Sequence, residues 1–377
     1  EVMQTIHSHV SSIGPGPALP GACGAPSELL LLDIETTGLS ALNHSIILIG
    51  CLCFDAGRQR WEITQFFADS PEEEPALLTA FSALAAGKKV LIHYNGRKFD
   101  LPFLQKHMKN AGIQDVISGM QSVDIYQSVA RYRNLLGLSD NRQQTVEAFL
   151  GTGRTDRSTG RDVVALYAGY LRDGNTAMRD AVIAHNAADL TGVLALLPML
   201  SYDLFFQETP VVYRAEADSY SDWNGQPREE VILRFRSRVE IPKPVFGSRS
   251  SCFFKAEGCD GGTDGVVKVP LLSGELKYFY ANYRDYYYFP GQDQALHRSV
   301  AVYADRENRT PARPETCYTR KKASFLPEWD LFRTPFYKKD YRSPELYFEL
   351  SPEVKTDRAL LSSYAQYVVS HIIEDQR

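Results

Sequence analysis

Leu29 to Leu32 form an unbroken apolar run that leads straight into Asp33, Ile34 and Glu35, with the turn residue Gly38 close behind. A short apolar run bounded by a turn signal predicts a buried strand. "SIILIGCLCF" (45–54) and "RWEITQFFA" (60–68) repeat the strand pattern across short turns, so 29–67 reads as a three-stranded antiparallel meander. The period then changes. "SPEEEPALLTAFSALAAG" offers Ser70 as N-cap, Pro71 and acidic residues in the first turn, and Gly87 at the far end, which predicts a helix. "KVLIH" (89–93) follows as a further strand, and strand–helix–strand at this spacing predicts a parallel crossover. From Phe99 to about Leu200 the pattern is mainly helical: "FLQKHMKNAG", "VDIYQSVARYR", "QQTVEAFLG", "GRDVVALYAGYLRDG" and "AMRDAVIAHNAADLTGVLALLPML". The expected class is α/β, a mixed sheet flanked by helices.

Helical signals fade near Phe205–Pro210, where aromatic, β-branched and basic residues rise. "EVILRFRSRVEI" alternates like a strand, "KYFYANYRDYYYF" is rich in aromatics, and "TDRALLSSYAQYVVSHIIEDQ" closes the chain with helical period. The expected organisation is an irregular leader over 1–27, an α/β domain over 28–207, and a β-rich (α+β) domain over 208–377 that ends in a helix. The length of 377 residues suits two domains or three.

Composition narrows this further. The leader lacks the basic start and long apolar run of a signal peptide. No uninterrupted apolar stretch approaches the length needed to span a bilayer, so a membrane role is not expected. The six cysteines form no Cys-x-x-Cys pair and no zinc-ribbon spacing; reduced thiols in a cytoplasmic protein fit best. The net charge of −5 argues weakly against a polyanion partner. It is unevenly spread, with 25 Lys/Arg against 24 Asp/Glu from Val211 onward and 16 against 22 before it. A local basic stripe, rather than the total, is what a nucleic acid would meet.

The acidic half holds the candidate chemistry. Side chains on a strand alternate, so Asp33 and Glu35 share a face while Ile34 points away. Two carboxylates at the end of an apolar strand repel each other and resist leaving water, and a cation there would relieve both effects. The competing reading is two solvated residues at the mouth of a loop. Asp100, in "NGRKFDLP", sits where the strand ending at His93 passes into a helix; an N-cap is the simpler reading. Asn95, at the strand end, is a ligand or substrate contact or plain turn chemistry. His185 and Asp189, in "IAHNAADL", are four apart on an apolar helix and share a face, with Cβ atoms roughly 5–6 Å apart. An Asp there needs a partner, whereas a lone His is more often a satisfied core residue.

Together, "DIETTGL", "NGRKFDLP" and "IAHNAADL" resemble the three motifs of the DEDD superfamily of 3′–5′ exonucleases, built on a ribonuclease H-like fold. In the third motif His185 stands where tyrosine is more usual. More narrowly, "LLGLSDNRQQTVEAFLG" and "RTDRSTGRDVVALYAGYLRDGN" resemble the inter-motif segments of YprB-like ribonuclease H-like proteins of Firmicutes, in a clostridial branch. The likeness covers about 29–202. It implies two divalent cations, Mg²⁺ or Mn²⁺, held by Asp33, Glu35, Asp100 and Asp189. It implies that His185 orients or deprotonates the attacking water and that Thr37 and Leu39 hold the terminal nucleotide, with Asn95 a further substrate contact. The implied substrate is a DNA or RNA strand with a single-stranded 3′ end, with a helicase-type protein as a further partner. Alternatives are a catalytically weak nucleic-acid-binding module on the same fold, an endonuclease, and a scaffold in which each carboxylate caps or solvates.

The second half adds one expectation. Lys277 and Arg284 interleave with tyrosines and phenylalanines, and Arg320, Lys321, Lys322, Lys338, Lys339 and Arg342 follow. Such a mixture either guides a nucleic-acid strand through stacking and phosphate contacts or fills a small β core with lysines on its rim.

Overall fold

The computed structural model describes residues 3–10, 24–153 and 159–374. The chain forms two compact units. One runs to Phe205 and takes in Ile241–Lys243; the other comprises Phe206–Glu240 and the chain from Pro244 onward.

The first unit is built on a six-stranded sheet. Its strands are β1 (Gln4–His9), β2 (Leu29–Thr36), β3 (Ile46–Asp55), β4 (Arg60–Phe67), β5 (Val90–His93) and β6 (Gln121–Asp124). They lie in the order β1-β4-β3-β2-β5-β6. Pairing is antiparallel from β1 to β2 and parallel from β2 through β5 to β6. The helices are α1 (Glu74–Ala85), α2 (Asp100–Asn110), α3 (Ile125–Tyr132), α4 (Gln143–Leu150), α5 (Gly160–Asp173) and α6 (Thr176–Ala195). Both faces of the sheet are covered, which is why its central strands read as continuous apolar runs. Leu30, Leu32 and Ile34 pack with Leu77, Leu78 and Phe81 of α1 and Leu101, Leu104 and Met108 of α2. Ile47, Leu48 and Phe67 pack with Val163 and Tyr167 of α5 and Val182 of α6. Leu29 to Leu32 are at most 1% exposed, and each contributes about 1.5–3 kcal/mol by burial. That anchoring allows β2 to carry charge at its far end.

Several elements differ from the sequence pattern. Gln4–His9 is a strand rather than irregular leader, paired edge-on to β4; its residues are mostly exposed, so no apolar stripe betrays it. Residues 11–23 of that leader lie outside the described residues. The helix expected from Ser70 opens with a 3₁₀ turn, Pro71–Glu73, and becomes α-helical at Glu74; Ser70 makes no side-chain cap bond. "VDIYQSVARYR" is split: Val123 and Asp124 belong to β6, and Asp124 caps α3 by accepting from Tyr126 N. A polar four-residue strand has too little pattern to be read alone. Pro198 interrupts the last helical run, which passes from α6 through a 3₁₀ turn at Leu197–Leu200 into a short helix, Ser201–Gln207. By composition Thr176–Gln207 is long and apolar enough to cross a membrane, contrary to expectation, yet 56% of its most apolar window is buried in the fold.

The second unit is β-rich. Its eight-stranded sheet is organised by one long strand, Gly262–Phe279. The first part of that strand pairs with Cys252–Cys259 and Pro227–Ser237, and the second part with Tyr318–Glu328. A small three-stranded sheet, centred on Tyr286–Phe289, stands beside it. The closing helix is Arg358–Glu374.

Candidate metal centre

Alternation along β2 does the first placing. Leu30, Leu32 and Ile34 face α1 and α2, so Asp33 and Glu35 face the other side, where α6 packs against the strand. On α6, His185 and Asp189 lie one turn apart. His185 Nε2 is 3.2 Å from Asp189 Oδ2 and 3.9 Å from Glu35 Oε1. One donor atom from each of Glu35, His185 and Asp189 lies within 4.8 Å of the others. Glu35 and His185 are 8% and 7% exposed.

Asp33 sits among like charges. Burial, then the charges of Asp189, Glu35 and Asp100, push its carboxyl well above the ordinary range, and only the hydrogen bond from Asn186 opposes them. Asp100 is the first residue of α2 but does not cap it. Phe99 holds the N-cap position, and Asp100 Oδ1 instead accepts from Ile34 N of β2 at 3.2 Å. That bond crosses from helix to strand and brings a third carboxylate beside Asp33. Burial raises Asp100 to about 6, against backbone donors that lower it, with Asp124 and Asp189 adding to the rise.

Two of the three expected substrate contacts are engaged in the loops that hold them. Thr37 Oγ1 accepts from Ser45 N at 3.0 Å and closes the turn between β2 and β3. Asn95 adopts a left-handed conformation, φ 61°, and its N–H donates to Asp124 Oδ1 at 2.7 Å. Leu39 is 87% exposed at the tip of the β2–β3 loop.

Three further residues shape the centre and escaped the sequence reading. Asn186, next to His185, donates to Asp33 Oδ2 at 2.8 Å. Gly50 lies directly opposite Asp33 on β3; a Cβ there would fall 2.0 Å from Asn186 Oδ1. A glycine within an apolar strand is a signal of close approach, and it stands in plain view in "IILIGCL". Asp124 ends β6, holds the Asn95 turn, and places its Oδ1 3.7 Å from His93 Nδ1.

In the second unit the basic residues find acidic neighbours. Arg320 lies 3.2 Å from Glu275 and 3.7 Å from Asp293. Lys321 lies 2.5 Å from Glu349, and Lys339 3.0 Å from Glu345. Lys277 stacks over the Tyr318 ring at 4.2 Å. Lys322 and Arg342 are exposed and form no ion pair among the described residues. Tyr280, Tyr283, Tyr286 and Tyr288 are half-buried around Ala295, Ala312 and Cys317, so these aromatics build a small core.

A family model described as RNase_H superfamily matches residues 30–201. No curated protein matches the chain. Among solved structures, product-bound exonuclease I aligns over 55% of this chain and 58% of that one, at 12% identity and a TM-score of 0.33. E. coli exonuclease I in complex with a 5cy-dA13 oligonucleotide aligns over 58% and 55%, at 14% identity and 0.28. An exonuclease I complex with SSB-Ct aligns over 92% and 72%, at 12% identity and 0.32. The chain thus spans little more than half the length of the first of these. The fold is ribonuclease H-like, a mixed sheet flanked by helices, followed by a β-rich region.

Proposed function

We propose that the chain is a divalent-metal-dependent nuclease, and more finely a 3′–5′ exonuclease of the DEDD type acting on single-stranded DNA or RNA ends, close to the YprB-like proteins. The observation that carries this reading is the convergence of half-buried Asp33 and Asp189 with buried Glu35, Asp100 and His185. Burial, and then the like charges of Asp189, Glu35 and Asp100, raise the Asp33 carboxyl well above its ordinary range, and a cation would relieve both effects. Its hard oxygen donors suit Mg²⁺ or Mn²⁺.

Asp33, Glu35, Asp100 and Asp189 would hold two such cations, which when bound supply a nucleophile at neutral pH and relief for charge on the leaving oxygen. The other roles belong to the chain itself. The His185 imidazole takes the proton of the attacking water, as a general base does. Exposed Leu39 offers an apolar surface to a terminal base, and the half-buried Asn95 amide a polar contact.

The test combines metal titration with hydrolysis. Mn²⁺ at about 100 times its Kd should stabilise the protein by about 2.7 kcal/mol, and Asp33→Asn should remove both that gain and cleavage of a labelled oligonucleotide. A variant that still cleaves at the wild-type rate, or a wild type that neither binds Mn²⁺ nor cleaves, would overturn the reading.

A further inference from the structure

Asp33 on β2, Gly50 on β3 and Gln65 on β4 stand in one row across three neighbouring strands. Asp33 pairs with Gly50, and Gly50 with Gln65. The middle position has no side chain. Asn186 of α6 occupies that space: a Cβ on Gly50 would lie 2.0 Å from its Oδ1 and 2.8 Å from its Cγ. From there its amide reaches both outer members of the row. Nδ2 donates to Asp33 Oδ2 at 2.8 Å and to the Asp33 main-chain carbonyl at 3.3 Å. Oδ1 accepts from Gln65 Nε2 at 2.8 Å. Gln65 Nε2 spends its second proton on the carbonyl of Ile183, one turn earlier on α6, also at 2.8 Å. Asn186 is fully buried and Gln65 is 1% exposed, so water does not substitute for these partners.

The polarity of this chain of amides is set at both ends. A backbone carbonyl can only accept. Ile183 O therefore fixes which end of the Gln65 amide faces α6, and Asp33 O fixes which end of Asn186 faces β2. Turning either amide over would set oxygen against oxygen in a buried place. We infer that Asn186, locked by Gln65 across the Gly50 gap, is a positioning residue that holds the Asp33 carboxylate in one orientation for cation binding. This rests on the nuclease reading, since it takes Asp33 as a metal ligand. Of the two carboxylate oxygens of Asp33, Asn186 donates to Oδ2, which leaves Oδ1 to the cation site. The sheet row makes the arrangement rigid, because each member is fixed by strand pairing rather than by a loop. Outer-shell partners of metal-binding carboxylates typically change metal affinity by about 10–100-fold when removed.

The experiment measures Mn²⁺ affinity directly, from the paramagnetic resonance of free Mn²⁺, alongside the metal-free Tm and the kcat and KM on a labelled single strand. Asn186→Leu keeps volume and removes the donor. Gln65→Met lies two strands from Asp33, keeps length and releases the Asn186 amide. Each should weaken Mn²⁺ binding by about tenfold or more, with kcat restored by excess Mn²⁺ and the KM for the strand unchanged. Gly50→Ala should do the same by displacing Asn186. Wild-type Mn²⁺ affinity in a folded Asn186→Leu, with only a lowered metal-free Tm, would show that Asn186 merely packs, and would overturn the inference. Should Asn186→Leu fail to fold, Gln65→Met decides on the same tenfold criterion. Absence of saturable Mn²⁺ binding by the wild type would sink the nuclease reading and this inference together, whereas wild-type binding with unaffected variants would sink this inference alone.

Discussion

Charged side chains gather in both units, on opposite terms. In the first, burial and then the charges of Asp189, Glu35 and Asp100 drive the Asp33 carboxyl up. In the second, Arg320, Lys321 and Lys339 each lie against a carboxylate at 2.5–3.2 Å on an exposed face. Exposed pairs of that kind are worth roughly 0–1 kcal/mol and cancel their own field. Buried like charges destabilise the fold that carries them and leave a field to be filled. The difference separates a region where like charges converge from one where opposite charges meet. It also moves the balance for the second unit: its tyrosines pack on each other, and much of its basic charge is already matched.

The strongest way to break this comparison is to neutralise the first region. Asp33→Asn should abolish hydrolysis while leaving the metal-free protein folded and no less stable, since a repelled charge has been removed. Lost folding with lost activity would mean that Asp33 supports the structure instead.

Replacing the imidazole comes next. His185→Ala should lower kcat by about 10²–10⁴-fold, and His185→Tyr should retain substantial activity because the helical spacing suits either ring. Equal rates in wild type and His185→Ala would mean that the imidazole only packs against α6.

A pH series measures the cost of burying one of these carboxylates. Asp100 is raised from 3.8 to about 6. Between those values the folded state keeps a proton that the unfolded state has lost, so stability falls as pH rises through that window and stays lower above it. Asp100→Asn keeps an acceptor for Ile34 N and removes the effect. The metal-free variant should gain on the wild type between about pH 4 and 6, by on the order of 2–3 kcal/mol, and the gain should vanish with saturating Mn²⁺. A stability difference flat across that range would show that burial does not penalise the Asp100 charge.

Charge reversal in the second unit should do least. Lys321→Glu and Lys322→Glu together should lower the salt slope of strand binding by no more than about one unit, contributed by Lys322, with Lys321 already engaged by Glu349. A fall of two units or more would show that this face tracks phosphates and would erase the contrast between the regions.

Much of the centre was legible in the sequence because its signals are local. The apolar run of β2 with its period-two carboxylates, and the i,i+4 pair on α6, each fix a face with no knowledge of the partner element. Asp100 was ambiguous for a physical reason: a carboxylate at a strand–helix junction looks like a cap, and only the distant Ile34 N–H shows otherwise. Asn186 and Gln65 had no local signal at all, since their meaning lies in contacts across 121 positions of chain. Gly50 carried one, a glycine inside a core strand, but not the identity of what approaches it. The short strands at the sheet edges, Gln4–His9 and Gln121–Asp124, are defined by pairing more than by pattern. The aromatic stretch of the second unit could not be resolved from composition, because stacking platforms and tyrosine cores use the same residues.

The central claim is tested most directly by a time course on one single-stranded oligonucleotide, labelled at its 5′ end in one sample and at its 3′ end in another, with Mn²⁺ and with chelator. The account predicts a ladder shortening stepwise from the 3′ end with the 5′ label and immediate release of mononucleotide with the 3′ label, both lost with chelator or in Asp33→Asn. Internal cuts as first products, release from the 5′ end, or cleavage that survives in Asp33→Asn would contradict it.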